Sequence, residues 1–596
     1  MNCALSFGWF ASILVDRFPS VAVSCQLFSA LLLSLTLYQV GFVSATKNFA
    51  QCLNDVRNGT YGPNAGVDNS GRAVSNIQDA TAIPYEICLT ACGGGAQPFS
   101  WSDFSGEFSA WLLPWLALLS QLPFGANDKL ENFLSIVLAI GSPTLAAYSA
   151  ALTVLNGRWI ARRFSGSSYP NTPEAVRALN GLQQVPIVLD TSESLLASLV
   201  ILHQNDDWWR ELLANLDYTH TWSISAVTSI AWVIIAYIFT VLQSLSNALE
   251  DVEVSGQAVG SVWLWLVPVD IAWLQISPKC DSARVKDALN RANKLAHVAR
   301  PDGGSQLASL VGEHRALSVK EDDDALYNDE RCTSPIYNYS RLFSWTAAVE
   351  EISAYFREAT RRSHKHQSVA CNMQWVVESR YAAIHEQNRC GTSDEVDKYC
   401  DSGSNRQPTR WGSGVWGRII VASFMALLLQ WGTAGAAMFV VWETPTRGLG
   451  CRVGSYLLYA SLSTIVWALL LLSSILSHYS TLNFPSQQAR AVFTARLSIL
   501  LRRLGKMLAV ANTVWILTAC IFQFSAFFDR CYCNSSALGL GAVNAYIVIQ
   551  FGPDDLSTMR DAWIGGVFVA MGSAILYVGF INLVLNPTLP NDSDRE

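Results

Sequence analysis

Eight apolar runs divide the cysteines and the positive charges of this chain between two sides of a membrane. The runs lie near residues 22–45, 133–155, 221–245, 259–276, 415–441, 455–477, 507–528 and 563–586. Each approaches the roughly 20 residues needed to cross a bilayer core. The segments between them alternate: one set carries Cys and glycosylation acceptors, the other Lys and Arg. A chain of 596 residues that is 51% hydrophobic and 15% charged, with its apolar residues in blocks, is not a soluble multidomain enzyme. Trp222, Trp263, Trp416, Trp442 and Trp563 sit at or near the run ends, where amphipathic rings favour the headgroup zone. The lipid bilayer is therefore the first partner. A net charge of −7 and the lack of a basic arm give no nucleic-acid partner.

The expected fold is all-α. It is a polytopic transmembrane helix bundle with a small disulfide-bonded exterior domain and a helical cytosolic insert. Residues 1–45 read as a signal peptide or signal anchor, because the first run ends in the small-residue pattern Val43-Ser44-Ala45. Residues 46–107 follow as an exterior Cys-containing domain, 108–276 as a first membrane half and 277–414 as the insert. A second membrane half spans 415–586, and 587–596 form a cytosolic tail.

Charge sets the orientation. Arg158, Arg162 and Arg163 follow one run, and 478–506 holds Arg490, Arg496, Arg502, Arg503 and Lys506 without an acid. The loop 246–258 has Glu250, Asp251 and Glu253 and no base. The positive-inside rule puts 156–220, 277–414, 478–506 and the tail in the cytosol. The protein then belongs in the plasma membrane or a secretory-pathway membrane, with 46–107 outside. The outside segments hold Cys52, Cys88, Cys92, Cys451, Cys531 and Cys533, an even set suited to disulfides, though six cysteines allow 15 pairings. Cys531 and Cys533 are expected to bond elsewhere rather than to each other, with Cys451 and the exterior domain as natural partners. Asn58 and Asn534 are the outside glycosylation acceptors, and Asn338 and Asn591 the inside ones. The run FSAWLLPWLALLSQLPF at 108–124 contains Pro114 and Pro123. It reads as a re-entrant or interfacial helix with Trp111 and Trp115 near the headgroups, leaving about seven crossings.

In the insert, apolar residues recur at helical spacing in three sets. They are Val285, Leu289, Ala292 and Ala296; then Trp345, Val349, Ile352 and Phe356; then Val369, Met373, Val376 and Ile384. Lys320 to Asp324 and 391–414 read as solvated linkers. His364, His366, Cys371, His385, Cys390 and Cys400 lack the paired spacing of a zinc site, so no metal or cofactor is implied. Gln487–Lys506 reads as a basic amphipathic helix on the inner leaflet, with Phe493, Leu497, Leu501 and Leu504 on one face.

The candidate intramembrane polar site centres on Asp270, beside Pro268 in the run 259–276. A charge there costs at least about 2.5–3.5 kcal/mol on insertion scales. Asp270 is either a proton- or cation-binding point or a carboxyl that pins two helices. Gln430, Asn512, Gln523 and Asn582 are buried amides that could join it or act as interhelical glue. Gly565, Gly572 and Gly579 form a small-residue stripe for close helix packing, with Gly432 and Ala436 in a similar role. No Walker loop, HExxH, Rossmann fingerprint or GxSxG is present, and the expectation is no enzyme.

Several segments together are familiar: Gln51-Cys52-Leu53-Asn54-Asp55, Trp111-Leu112-Leu113-Pro114-Trp115, Gly141-Ser142-Pro143-Thr144, Leu429-Gln430-Trp431-Gly432-Thr433, Gly448-Leu449-Gly450-Cys451-Arg452 and Cys531-Tyr532-Cys533-Asn534-Ser535-Ser536. The chain resembles a family of uncharacterised fungal multi-pass integral membrane proteins. The resemblance implies a secretory-pathway membrane protein and supplies no catalytic residues. Transport of a small solute or ion is the leading reading. A seven-span receptor or sensor, and a non-catalytic scaffold whose insert 277–414 recruits a cytosolic protein, are the alternatives.

Overall fold

The structure, a computed structural model, describes residues 49–92, 99, 101–122, 124, 129–189, 195–218, 222–246, 256–311, 315–320, 325–377, 384–401, 411–483, 489–525 and 527–585. The leader 1–45, the acids 321–324, most of the loop 246–258, Asn591 and the tail lie outside these residues.

Among the described residues, five helices are long and apolar enough to cross a membrane: Ala258–Ile276, Val415–Glu443, Cys451–Leu482, Ala489–Phe524 and Pro553–Leu585. The run at 133–155 is not one straight helix. It is split into Lys129–Gly141 and Pro143–Phe164, which meet at 107° and make a sixth span if counted together. Pro143 cannot donate to the preceding turn, and Ser142 caps the second helix by accepting from the Leu145 N–H. The break frees carbonyls, and neighbours satisfy them. The Tyr459 hydroxyl donates to Ile140 O (2.9 Å), and Asn512 Nδ2 donates to Gly141 O (2.8 Å) and Tyr459 O (3.0 Å). Gly141 is required here, because a Cβ would stand 2.0 Å from Ala509 O. The run at 221–245 forms the Ile224–Ser246 helix, whose described apolar stretch, Ile224–Phe239, falls short of a span.

Two long helix pairs build the bundle. Cys451–Asn483 packs along Ala489–Phe524, tied by Ser473 and Ser498, each of which donates to the other's carbonyl (2.8 and 2.7 Å). Val415–Glu443 packs along Pro553–Leu585. There Gly432 has room for no Cβ, since one would lie 2.4 Å from Ser573, and Gly566 likewise meets Val440. The stripe Gly565, Gly572, Gly579 is not the seam: Gly572 and Gly579 face open space. The buried face lies one residue on, at Gly566, Ala570, Ser573 and Tyr577.

Other expectations also change. Trp111 and Trp115 are buried in the bundle core, Trp115 with its ring 6.5 Å from Tyr237. Gln487–Lys506 is not a separate surface helix. Residues from Ala489 continue without a break to Phe524, and the packed face is Ala491, Ser498, Arg502 and Gly505. Phe493 and Leu504 point away from it and are exposed. Seen from the fold, the apolar face of this segment is its outer one.

At one end of the bundle, residues 49–92 fold against the loop 529–552. The strand Ala82–Pro84 pairs antiparallel with Tyr546–Val548, in the register Ala82↔Val548 and Pro84↔Tyr546. Three disulfides take all six expected cysteines: Cys52–Cys92, Cys88–Cys531 and Cys451–Cys533. Asn58 is exposed there, whereas Asn534 is half-buried and accepts from Arg452 Nη1 (3.0 Å).

A second core, apolar within but built by the polar stretches of the chain and called the polar core for them, lies apart from that end in sequence. It joins residues 160–216 to 285–400 around Trp208, Trp209, Trp345 and Phe356. The strand Ile187–Leu189 pairs with Leu317–Val319, and Arg389 holds Asp206 across the two stretches (2.6 Å). The helix Ser282–Asn293 buries Val285, Leu289 and Ala292 of the first set, Ala296 falling just beyond its end, and Asn338–Ser363 buries the second. The third set forms no helix between Val369 and Val377. The Asn388 side chain captures the Val376 backbone instead, accepting from its N–H (2.9 Å) and donating to its carbonyl (2.8 Å). Asn338 is buried, and its amide donates to Thr153.

Candidate functional site

Asp270 sits on the Leu266–Ile276 helix, which follows Gly256–Trp263 across a two-residue turn within the span Ala258–Ile276. The first half, Gly256–Trp263, stops short of it. Pro268 explains the break: its ring nitrogen cannot donate to Leu264 O, the bond that would carry the helix through. In the first turn of the new helix that missing donor costs nothing. This span is the most enclosed of the five, with 83% of its apolar window buried against 33% in Pro553–Leu585. Its second half packs on Pro143–Phe164 and Pro553–Leu585.

Asp270 is fully buried, and neither carboxyl oxygen has a hydrogen-bond partner among the described residues. An ionised carboxylate without partners is costly in such surroundings. Gln430 is the nearest analogue among the expected residues: buried, with neither its amide nitrogen nor its carbonyl oxygen bonded. No hydrogen bond joins the two.

The other expected members separate from Asp270. Asn512 bridges the broken helix and the Cys451–Asn483 helix, as described. Gln523 accepts from Arg452 Nε (3.0 Å) at the disulfide-bonded end. Asn582 is exposed on the last helix and donates back to Val578 O (3.1 Å). Two of the four amides, Asn512 and Gln523, are therefore structural, and Asn582 lies on the exposed face of its helix.

A second buried carboxylate carries no signal in the sequence pattern. Asp329 lies on the short helical segment Ala325–Glu330, which packs against Ala489–Phe524 and Asn338–Ser363. It is fully buried, like Asp270, but richly partnered. Lys506 forms an ion pair with it, Arg502 Nε lies 3.8 Å away, and the Tyr339 hydroxyl donates to it. Burial pushes this carboxyl up, but Lys506 and Arg502 outweigh that and hold it below the ordinary carboxylate value. The two basic residues assigned from sequence to the inner leaflet thus anchor the polar core to the bundle.

Each end of the bundle holds a cavity. One, of about 300 Å³, lies under the disulfides and is lined by Thr444, Arg452, Asp529, Asn534 and Trp563. The other, of about 510 Å³, lies where the polar core meets the helices Cys451–Asn483 and Ala489–Phe524, and Glu330, Phe343 and Ser477 are among its lining residues. Among the described residues no group of His, Cys, Asp and Glu has the makings of a metal site.

Comparison of this chain with protein-family models, with curated proteins and with solved structures finds no match.

Proposed function

We propose that this multi-pass membrane protein carries a proton or a small cation across the bilayer, with Asp270 as the binding carboxylate. The observation that carries this reading is the fully buried carboxyl of Asp270, without a hydrogen-bond partner among the described residues, just after a two-residue turn in an enclosed span. Interrupted helices that meet a polar group inside the bundle are the usual construction of transporter sites. Gln430, also unpartnered, is a second polar group for the path. The disulfides and the paired strands form the outside face, consistent with oxidation in the secretory pathway. The polar core, the C-terminus and the free thiols Cys332, Cys371, Cys390 and Cys400 are cytosolic. The segments quoted from the sequence support a resemblance to uncharacterised fungal multi-pass membrane proteins.

Flux is the test. Purified protein in liposomes, with an internal pH dye and then with sodium or potassium gradients, should dissipate one of these gradients faster than protein-free liposomes. No flux above background for any of the three would leave the scaffold reading, in which Asp270 only packs helices.

A further inference from the structure

We propose that the cavity between the polar core and the membrane helices binds an organic cation: a protonated amine carrying an apolar body. The inference is independent of Asp270.

Acceptors dominate the walls. Six hydroxyls on the lining helices spend their protons on backbone carbonyls: Ser340 on Tyr337, Ser344 on Arg341, Ser473 on Ser498, Ser474 on Tyr339, Ser477 on Leu326 and Thr481 on Ser477. Their remaining valence is lone pairs, which welcome a donor. The bases near the cavity are already committed. Arg502 donates to Leu326 O and, with Lys506, balances Asp329; Lys320 likewise has interactions of its own.

Two carboxylates remain. Glu330 and Glu351 both line the cavity, and neither side chain makes a hydrogen bond or an ion pair among the described residues. Burial pushes both carboxyls up, Glu330 to about 7 despite the pull of Lys320, Arg341 and Arg502. Glu351, and Glu330 where it is ionised, face this space as acceptors without a hydrogen-bonded donor, which suits an ammonium better than a carboxylate. Lys320, Arg502 and His478 share the lining, and Lys320 and Arg502 act on Glu330 through space. Ile187, Leu326, Phe343 and Ala347 give the same space an apolar wall, and a volume of about 510 Å³ is within the range of small-molecule sites.

The test uses full-length protein in phosphatidylcholine nanodiscs and three probes of similar shape: phenethylammonium, phenethyl alcohol and phenylacetate. Equilibrium dialysis should show phenethylammonium bound most tightly and phenylacetate least. The double substitution Glu330→Gln with Glu351→Gln should weaken phenethylammonium about tenfold or more and leave the alcohol unchanged. Glu351→Gln alone, on an exposed position, serves if the double variant fails to fold, and should weaken the ammonium selectively. Equal binding of all three probes would mean apolar partition only and would overturn the proposal. So would ammonium binding that survives the substitutions in folded protein.

Discussion

Two aspartates of this protein are equally buried and opposite in circumstance. Asp329 is held by Lys506, Arg502 and Tyr339 where the polar core meets the bundle. Asp270 has no hydrogen-bond partner among the described residues. A carboxylate surrounded by bases is a structural clamp, because removing it strands their charge. A carboxyl with no partner holds nothing together, so its retention needs another account, and ion binding supplies one. Depth of burial does not separate the two roles. Partners do.

The largest expected effect breaks the clamp. Asp329→Ala leaves Lys506 and Arg502 uncompensated and should cost about 3–5 kcal/mol, read as a loss of thermal stability in detergent. A loss smaller than that of an ordinary surface substitution would remove the contrast between the aspartates. Next comes the disulfide-bonded end. Cys451→Ser should cost about 2–4 kcal/mol and make the Cys533 thiol reactive to maleimide without reductant. Gly141→Ala forces a Cβ onto Ala509 O and should cost about 1–3 kcal/mol.

A smaller effect depends on pH. Burial holds the Glu330 carboxyl up, from 4.5 to about 7. The folded protein therefore binds this proton more tightly than the unfolded chain, and stability falls as pH rises through that window. Glu330→Gln removes the titration. Relative to the parent it should be neutral below about 4.5 and stabilising above 7 by on the order of 1 kcal/mol, allowing for solvent screening. Parallel melting curves across the window check the sign.

Much of the bundle is readable from composition and periodicity, because long apolar blocks have few alternatives to membrane helices. The positions of Val415–Glu443, Cys451–Leu482 and Pro553–Leu585 follow from their runs. The six cysteines were readable as a set, but their pairing needed the fold, since Cys88 and Cys531 are 443 residues apart. The bend at Gly141-Ser142-Pro143 was written in its residues, yet hydropathy alone runs straight through it. Arg502 and Lys506 misled for a different reason. A basic segment next to a span resembles a lipid-facing one, and only the fold brings Asp329, more than a hundred residues earlier, against it. The glycine stripe failed because a seven-residue repeat does not say which neighbour faces it. Asp270 stood out because an acid in an apolar run is rare, whereas its lack of partners could be learned only from the packing around it.

Asp270→Asn tests the central claim most directly. The amide keeps the size of the side chain and breaks no hydrogen bond among the described residues, so the variant should fold with stability within about 0.5 kcal/mol of the parent. Gradient-driven flux through liposomes, normalised to folded protein, should nonetheless fall to the protein-free level, because an amide neither takes up nor releases the ion. Flux equal to that of the parent from the well-folded variant would contradict the account and leave Asp270 as a packing residue.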